Sequence, residues 1–456
     1  TGLDLDCGDF YPKYTKPAID QGKVRESDVD KALKNLYIVL MRLGYFDGSP
    51  QYKDLGKDDV CSEEHIELAA DSARQGIVLL KNNNLLPLSP TKYKKLAVVG
   101  PQANATKAMI GNYAGIPCRY VSPLEGLSKY AEVDYKMGCD QIICRNETFI
   151  FHAVEASKHS DATIIFVGLD LSVENEGLDR TNLVLPGYQT QLIREIADAA
   201  KSPVIVVVLS AGGVDINFAK NNGKIGAILW AGYPGEEGGR AIADVIFGKY
   251  NPGGRLPVTW YTQDYVDKLP MTSMQLRPND ALGYPGRTYK FFNGSTVYPF
   301  GYGLSYTHFD YSIKSSRRSL VTKKGPYQHC HALHYKSDAY VPPCPSLLVE
   351  DTKCDQTIDF EIEVHNNGTI DGSHVLMVYS IPPADYVGAP AKQLVGFQRV
   401  FVRAGRSVTA KFSLDACKTL SMVTDTAYIV LPWGEHTIQV GDGDGAVTFP
   451  VEVSFQ

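Results

Sequence analysis

Two neighbouring segments indicate the fold of this chain: the apolar run Ile164-Ile165-Phe166-Val167-Gly168 and, after it, the acidic run Val173-Glu174-Asn175-Glu176-Gly177-Leu178-Asp179-Arg180. A short, continuously apolar run rich in β-branched residues is typical of a strand buried on both faces. In open α/β sheets, ligands bind outside the carboxyl ends of such strands. We therefore expect a candidate functional loop here; the alternative is a loop that is merely acidic and solvated.

Similar apolar runs recur through the middle of the chain. We predict strands over residues 96–100, 163–168, 204–209 and 225–230, alternating with helices that start at Pro186 and near Glu237. Strands that alternate with helices predict a parallel α/β domain.

The C-terminal part has the period of two that is typical of half-buried strands. Predicted strands, separated by Gly, Asn, Asp or Pro turns, cover 358–364, 375–379, 394–402, 408–412, 428–431, 437–440 and 447–455. This pattern predicts a β-sandwich. A polar insertion near 323–354 carries three cysteines and is predicted to be a disulfide-pinned loop.

The N-terminal fifty residues predict one helix over 24–43, with Val29, Leu33, Leu36, Leu40 and Leu43 recurring at helical spacing. Its apolar face needs a large partner surface, which nothing nearby in the sequence supplies. We therefore expect this segment to be the tail of a larger domain, and the chain, which begins at Thr1, to be processed or truncated.

Size and charge limit the classes of partner. At 456 residues the chain can hold about two or three domains, since one core stops growing near roughly 250 to 300 residues. A net charge of −6 without a long basic cluster disfavours nucleic acid. No apolar run approaches the roughly 18 residues that span a bilayer, so no membrane partner is expected.

Two features favour the secretory route. Glycosylation sequons begin at Asn104, Asn146, Asn293 and Asn367, each in a polar context. In an oxidising compartment cysteines would pair, and the candidates for disulfides are Cys139, Cys144, Cys330, Cys344, Cys354 and Cys417. The odd total of nine leaves one thiol free or bonded to another chain.

Several chemistries are disfavoured. Ser210 follows a buried strand but lacks the glycine of a nucleophile elbow, and no phosphate-binding glycine loop follows any strand. His329, Cys330, His331 and His334 form no matched ligand pair, so we expect no metal and no cofactor.

Glycosidic bond cleavage uses two carboxyl groups, of which one protonates the leaving oxygen. Glu174 and Glu176 lie too close in sequence to be that pair, so one is the candidate acid and the second carboxylate lies elsewhere. Asp179 and Arg180 are predicted to form an ion pair that shapes the loop; direct contact with sugar is the alternative.

The segment Glu174-Asn-Glu176-Gly-Leu-Asp179-Arg180 resembles the acid/base loop of glycoside hydrolase family 3, which has the form Glu-x-Glu-Gly-x-Asp-Arg. The same family resemblance is carried by Trp230-Ala-Gly-Tyr-Pro-Gly-Glu-Glu-Gly-Gly239 and Asn251-Pro-Gly-Gly-Arg-Leu-Pro-Val-Thr-Trp260. Three further segments resemble its plant β-xylosidase and α-L-arabinofuranosidase branch: Gly2-Leu-Asp-Leu-Asp-Cys-Gly8, Met41-Arg-Leu-Gly-Tyr-Phe-Asp47 and Gly111-Asn-Tyr-Ala-Gly-Ile-Pro-Cys118.

The resemblance implies an α/β sandwich and a fibronectin type III-like β-sandwich, preceded by the tail of a (β/α)8 barrel. The implied boundaries are 1–50 for the barrel remnant, 51–75 for a linker and first helix, 76–270 for the α/β sandwich with the acid/base loop, 271–310 for a connecting segment and 311–456 for the fibronectin type III-like domain.

The resemblance also implies roles for residues. Glu176 matches the family's acid/base, with Glu174 as the alternative, whereas the family's nucleophile is an aspartate that this chain does not contain. Asn175 and Gly177 depart from the branch, which usually has Ala and a bulky residue there.

We therefore expect the C-terminal chain of a retaining exo-glycosidase that removes terminal pentosyl units from oligosaccharides or glycosides. It would be secreted to the plant cell wall or apoplast, or be vacuolar. The partner would be an N-terminal barrel fragment of the same precursor. The alternative is a non-catalytic relative that binds carbohydrate or protein.

Overall fold

The computed structural model of the chain describes residues 3–48, 50–316, 319–322, 346–351, 355–384, 386 and 388–455. The chain divides into two compact units, Thr1–Ile66 and Glu67–Gln456.

The first unit contains two helices without a core around them. Helix α1 spans Phe10–Asp20 and α2 spans Glu26–Arg42. No residue described between positions 3 and 60 is buried, and apolar side chains of α2 such as Leu33 and Met41 are exposed. The helix predicted over 24–43 is confirmed. Of its predicted apolar stripe, Leu33 and Leu43 are exposed, whereas Val29, Leu36 and Leu40 are half-buried.

The second unit begins with an α/β domain built on a six-stranded sheet. Its strands are β1 Val78–Asn82, β2 Lys95–Val99, β3 Glu132–Lys136, β4 Ala162–Gly168, β5 Val204–Leu209 and β6 Ile225–Trp230. Their spatial order is β1-β6-β5-β4-β2-β3. Strands β2 to β6 pair in parallel, whereas β1 pairs antiparallel with β6. The predicted parallel α/β domain is confirmed, with β1 and β3 as additional strands.

Both faces of this sheet are buried, as the continuously apolar strand pattern predicts. The helices of the region are α3 Glu63–Gly76, α4 Pro123–Ser128, α5 Ile150–Lys158, α6 Gln189–Ala199, α7 Asn217–Lys220 and α8 Gly238–Ile246. In β4, Ile165 and Val167 join a hydrophobic cluster with α6, whereas Ile164 and Phe166 join a second cluster with α8. The strand that carries the acidic loop is therefore fixed from both sides.

Helix α6 begins three residues later than predicted, at Gln189 instead of Pro186. The intervening Gly187 has a φ of +52°, which is outside the helical region. The amide of Tyr188 donates to the carbonyl oxygen of Cys144 at 2.9 Å. The chain therefore turns once before the helix starts.

The segment after the α/β domain folds partly onto that domain's core. It contains β7 Trp260–Tyr261, α9 Tyr265–Lys268, α10 Thr288–Phe291 and β8 Thr296–Tyr298. Trp260 packs edge-on against Trp230 at 6.2 Å and against Tyr298 at 6.0 Å between ring centroids. Aromatic packing therefore joins this connecting segment to the sheet.

The C-terminal part is a β-sandwich with one hydrophobic core. One sheet has the order β10-β19-β18-β13-β14 and another has the order β15-β12-β9, with a small sheet β11-β17-β16 beside them. The elements are β9 Phe309–Ser316, β10 Ser319–Thr322, β11 Ser346–Leu348, β12 Thr357–Asn366, β13 Gly372–Ile381, β14 Gln393–Val402, β15 Ser407–Asp415, α11 Ala416–Leu420, β16 Met422–Val423, β17 Ile429–Pro432, β18 Gly434–Val440 and β19 Val447–Phe455. Each strand predicted for this region is present.

Cys139 and Cys144 form a disulfide, and Cys417 is also disulfide-bonded. Cys330, Cys344 and Cys354 lie outside the described residues, as does most of the predicted insertion near 323–354.

We expect Gly168→Ala to destabilise the protein by about 2 kcal/mol or more. An added Cβ would lie 1.9 Å from the carbonyl oxygen of Leu209 and 2.8 Å from Oε1 of Gln102, at a φ of +143°. Gly223→Ala is the matched control, because no atom lies within 4 Å of a Cβ there. Urea unfolding measures both variants, and equal losses would contradict the expectation.

Candidate active site

The acidic loop leaves the carboxyl end of β4 through an ordered turn. The Asp170 carboxylate accepts hydrogen bonds from the backbone N–H and the hydroxyl of Ser172, at 2.9 and 2.5 Å. The amide of Glu174 donates to the carbonyl oxygen of Asp170 at 3.0 Å. This turn sends the Glu174 side chain towards the ends of the neighbouring strands.

Glu174 joins the loops that follow three adjacent parallel strands. Its Oε1 accepts hydrogen bonds from the amide of Ala211, which follows β5, at 3.0 Å and from the hydroxyl of Tyr233, which follows β6, at 2.8 Å. Its Oε2 lies 3.4 Å from Nε of Arg180. The carboxylate is thus fully engaged in holding the loop.

Arg180 completes this anchor. Its Nη2 donates to the carbonyl oxygen of Gly213 at 3.0 Å, and only 9% of its side chain is exposed. The predicted ion pair between Asp179 and Arg180 is wrong: the structure describes both residues and they form none, and Asp179 is exposed. Successive residues of an extended chain point to opposite sides, so Arg180 turns inward to Glu174 while Asp179 faces outward.

Burial governs the electrostatics of the anchor. Burial, followed by the hydrogen bond to Glu174, raises the pKa of the Tyr233 hydroxyl, so it remains a donor. Burial lowers the pKa of the Arg180 guanidinium, and the negative charge of Glu174 opposes that shift. The Nη1 atom of Arg180 is buried without a hydrogen-bond partner.

Glu176 lies at the tip of a narrow turn. The amide of Asn175 donates to the carbonyl oxygen of Leu178 and the reverse bond is also formed, each at 3.0 Å. Gly177 has a φ of +75°, which a glycine adopts without strain. Gly177 therefore has a structural role in this tight turn, and Glu176 is left exposed.

One side chain from another loop reaches Glu176. The hydroxyl of Tyr113, in the loop that follows β2, donates a hydrogen bond to Oε2 of Glu176. Tyr113 is itself 81% exposed, so the pair lies at the surface. Loops after β2, β4, β5 and β6 thus meet at one edge of the sheet.

Tyr113 and Tyr233 are site residues that sequence reasoning missed. Both lie in motifs that carry the family resemblance, and those motifs were the available signal. Each tyrosine is separated from the glutamate that it contacts by 59 or more residues along the chain. Position in a motif does not identify such a partner.

The remaining candidate residues were predicted to have other roles. Asn104, Asn146, Asn293 and Asn367 are all exposed, as a glycosylation site must be. Within the described ranges, no group of His, Cys, Asp and Glu could hold a metal, and no helix is long and apolar enough to cross a membrane. His329, Cys330, His331 and His334 are outside those ranges.

Comparison with protein families identifies both domains. The family model for the glycosyl hydrolase family 3 C-terminal domain matches residues 77–306, about half of the chain, including the acidic loop. A fibronectin type III-like model matches residues 374–443. The α/β sheet with its carboxylate loop is therefore the domain of a glycoside hydrolase. The chain belongs to glycoside hydrolase family 3, and the predicted resemblance and fold class are confirmed.

Plant enzymes are among the similar proteins. β-Xylosidase/α-L-arabinofuranosidase 1 from Medicago sativa subsp. varia is 46% identical over 447 residues, which are 97% of this chain and 56% of the relative. β-D-Xylosidase 1 from Arabidopsis thaliana is 44% identical over 448 residues, which are 97% of this chain and 57% of the relative. The chain thus spans a little over half the length of these curated relatives.

Solved structures agree in fold. An exo-β-xylosidase of family 3, in complex with a xylobiose aziridine activity-based probe, matches with a TM-score of 0.83 and 32% identity over 99% of this chain and 56% of that chain. A β-glucosidase from Listeria innocua in complex with isofagomine matches with a TM-score of 0.76 and 22% identity over 99% of this chain and 59% of that one. The second likeness concerns the fold alone.

We expect Glu174→Ala to lower the free energy of unfolding by about 3 kcal/mol, because Arg180 would keep a largely buried charge without its carboxylate. Glu176→Ala removes the same groups from an exposed turn and should stay within about 0.5 kcal/mol of the parent. Equilibrium urea unfolding compares the variants. Equal losses would mean that Glu174 is not the anchor of the loop.

Proposed function

We propose that this chain is the C-terminal chain of a secreted, retaining exo-glycosidase that removes terminal xylosyl or arabinosyl units from cell-wall polysaccharides or glycosides. The observation that carries the proposal is the division of roles between two glutamates on one loop, with Glu174 engaged as an anchor and Glu176 presented at the tip.

Glu176 is the proposed acid/base. A general acid must come within hydrogen-bond distance of the glycosidic oxygen, and the exposed carboxylate at the loop tip has to exchange only the solvated hydroxyl of Tyr113 to do so. Glu174 would first have to leave Tyr233, the amide of Ala211 and Arg180. Arg180 then acts in loop shape and not in proton transfer.

The mechanism needs a second carboxylate that attacks the anomeric carbon. In a retaining enzyme it displaces the leaving group while the acid protonates the departing oxygen. The glycosyl-enzyme is then hydrolysed by a water that the acid, now a base, deprotonates. We propose that an N-terminal barrel fragment of the same precursor supplies this nucleophile as an aspartate.

Pentose specificity is proposed from the relatives. The plant proteins at 44–46% identity have names that include β-xylosidase and α-L-arabinofuranosidase. Secretion to the cell wall, or delivery to the vacuole, is supported by disulfide-bonded cysteines and by four exposed sequon asparagines.

In the complete protein, we expect Glu176→Gln to lower kcat/KM for xylobiose about a thousandfold, because an amide cannot protonate the leaving sugar. For 2,4-dinitrophenyl β-D-xyloside, whose leaving group needs no proton, kcat/KM should fall far less. Steady-state kinetics on the two substrates measures the difference.

Glu174→Gln is the matched control. It alters the anchor of the loop, so both substrates should be affected in similar proportion. If Glu174→Gln instead shows the leaving-group dependence and Glu176→Gln does not, the acid is Glu174.

The proposed partner fragment makes a separate prediction about α2. We expect native mass spectrometry of the purified protein to find a second chain of at least about 200 residues. Leu33→Asp should release that chain, because a charge is introduced into the uncovered apolar face. Lys31→Asp on the same helix is the control, and its complex should remain intact.

A purified chain that remains alone and binds glycosides without hydrolysing them would overturn the two-chain enzyme. It would favour the alternative, a non-catalytic carbohydrate- or protein-binding relative.

A further inference from the structure

A cavity of about 580 Å³ lies between the connecting segment and the C-terminal sandwich, and it shares no residue with the acidic loop. Residues 289–303 form one side. Residues of β9 and β13 form the other side, together with Lys392 and the turn 441–443. A cavity of this size can hold a single sugar ring or a small aromatic molecule.

The cavity wall contains an arginine that no acid neutralises. The guanidinium of Arg255 donates to the carbonyl oxygen of Gly303 through Nη1 and lies 3.1 Å from Nδ1 of His374 through Nη2. Among the described residues it forms no ion pair, although its surroundings are buried enough to lower its pKa. Arg255 therefore has no ion-paired acid at the wall within the described ranges, and Asp442 attracts its charge only from a longer distance.

The neighbours of Arg255 add another donor. Because a guanidinium only donates, Nδ1 of His374 accepts, and the proton of the neutral ring lies on Nε2. Burial, followed by the charge of Arg255, lowers the pKa of His374 to about 3, so the ring is neutral at physiological pH. Nε2 then donates to the Tyr311 oxygen, which leaves the Tyr311 proton available in a residue that lines the cavity.

The one carboxylate that lines the cavity already has partners. Asp442 accepts from the hydroxyl of Tyr379 at 2.8 Å and forms an ion pair with Lys392. The nitrogen of Lys392 also lies 4.2 Å from the ring centroid of Tyr379. The charges of Asp442 and Lys392 cancel, so the charge of Arg255 gives the cavity a net positive charge.

Aromatic side chains form much of the remaining wall. Tyr289 and Phe300 stack at 4.2 Å between ring centroids, and Phe292 and Tyr302 also line the cavity. Aromatic surfaces bind the C–H faces of sugar rings and the faces of other aromatic rings through their apolar area. The lining thus combines a cation with surfaces suited to a ring.

We propose that this cavity is a second binding site, for a carboxylate carried on a ring, with Arg255 and the hydroxyl of Tyr311 holding the carboxylate. A guanidinium matches the two oxygens of a carboxylate better than any other cationic side chain does. Two sources share this chemistry, a uronic acid and an aromatic carboxylic acid. The site is independent of the acid/base chemistry proposed for Glu176.

The test is ligand-observed NMR titration of the full protein with D-glucuronate and with benzoate, each compared with its methyl ester. The ester keeps the ring and removes the charge. We expect at least one acid to bind about tenfold more tightly than its ester, since a charged hydrogen-bonded pair is lost in the ester. The acid that is preferred identifies the source.

Variants locate the binding. Arg255→Gln should weaken the preferred acid about tenfold. Arg277→Gln is the matched control, because Arg277 also donates to backbone carbonyl oxygens, those of Gly388 and Val423, and does not line the cavity. Its effect should be less than about twofold.

If Arg255→Gln does not fold, Arg255→Lys and Tyr311→Phe test the proposal instead. The first removes the guanidinium fork and the second removes the hydroxyl, and both side chains keep nearly their original size. Both should weaken the acid and leave the ester unchanged. Equal affinities of acid and ester, no binding of either acid, or an acid preference that survives these substitutions would overturn the proposal. Activity is not the readout, so the outcome is distinct from any failure of the proposed glycosidase function.

Discussion

The structure of the candidate site depends on one carboxylate, that of Glu174. The loop between β4 and α6 is about twenty residues long, and ordering a loop of that length costs conformational entropy for each residue. Hydrogen bonds from Ala211 and Tyr233, with the charge of Arg180, fix the loop at Glu174, within its first half, to the ends of the neighbouring strands. Since parallel strands end at the same edge of the sheet, a single side chain can reach all of these groups.

This anchor explains why two glutamates so close in sequence have different environments. Asn175 closes a two-residue turn with Leu178, and the turn separates the held Glu174 from the exposed Glu176. One charged partner, Arg180, and two neutral donors, the amide of Ala211 and the hydroxyl of Tyr233, keep Glu174 engaged with the protein. Glu176 has a hydroxyl partner from Tyr113, which a substrate oxygen could replace at little cost, because both groups are already solvated.

Strands whose apolar pattern reflects burial could be predicted from the sequence. Contacts between residues that only the fold brings together could not. The interior strands β2, β4, β5 and β6 are continuous apolar runs, so they were predicted to within about one residue. Strands β1 and β3 lie at the edges of the sheet and were missed; β3 has no buried residue, and its mixed polar sequence gives no such run. The anchor itself was assigned wrongly, because sequence adjacency favoured Asp179 as the partner of Arg180 and only the fold brings Glu174 to it.

The exposed apolar side chains of α2 and the exposed carboxylate of Glu176 both lack a covering surface in this chain as the structure describes it. A helix with Leu33 and Met41 in solvent is stabilised little by burial. If a partner covered about 100 Å² of its apolar surface, the hydrophobic effect would contribute roughly 2.5 kcal/mol to the stability of the complex. Under the proposed function, a carboxylate at a solvated loop tip would likewise be a weak catalyst, because proton transfer is more effective where water is excluded. Covering α2 and covering Glu176 are separate requirements, and under the proposed function one barrel fragment would meet both. The stability of α2 and the activity of the site would then depend on the same association.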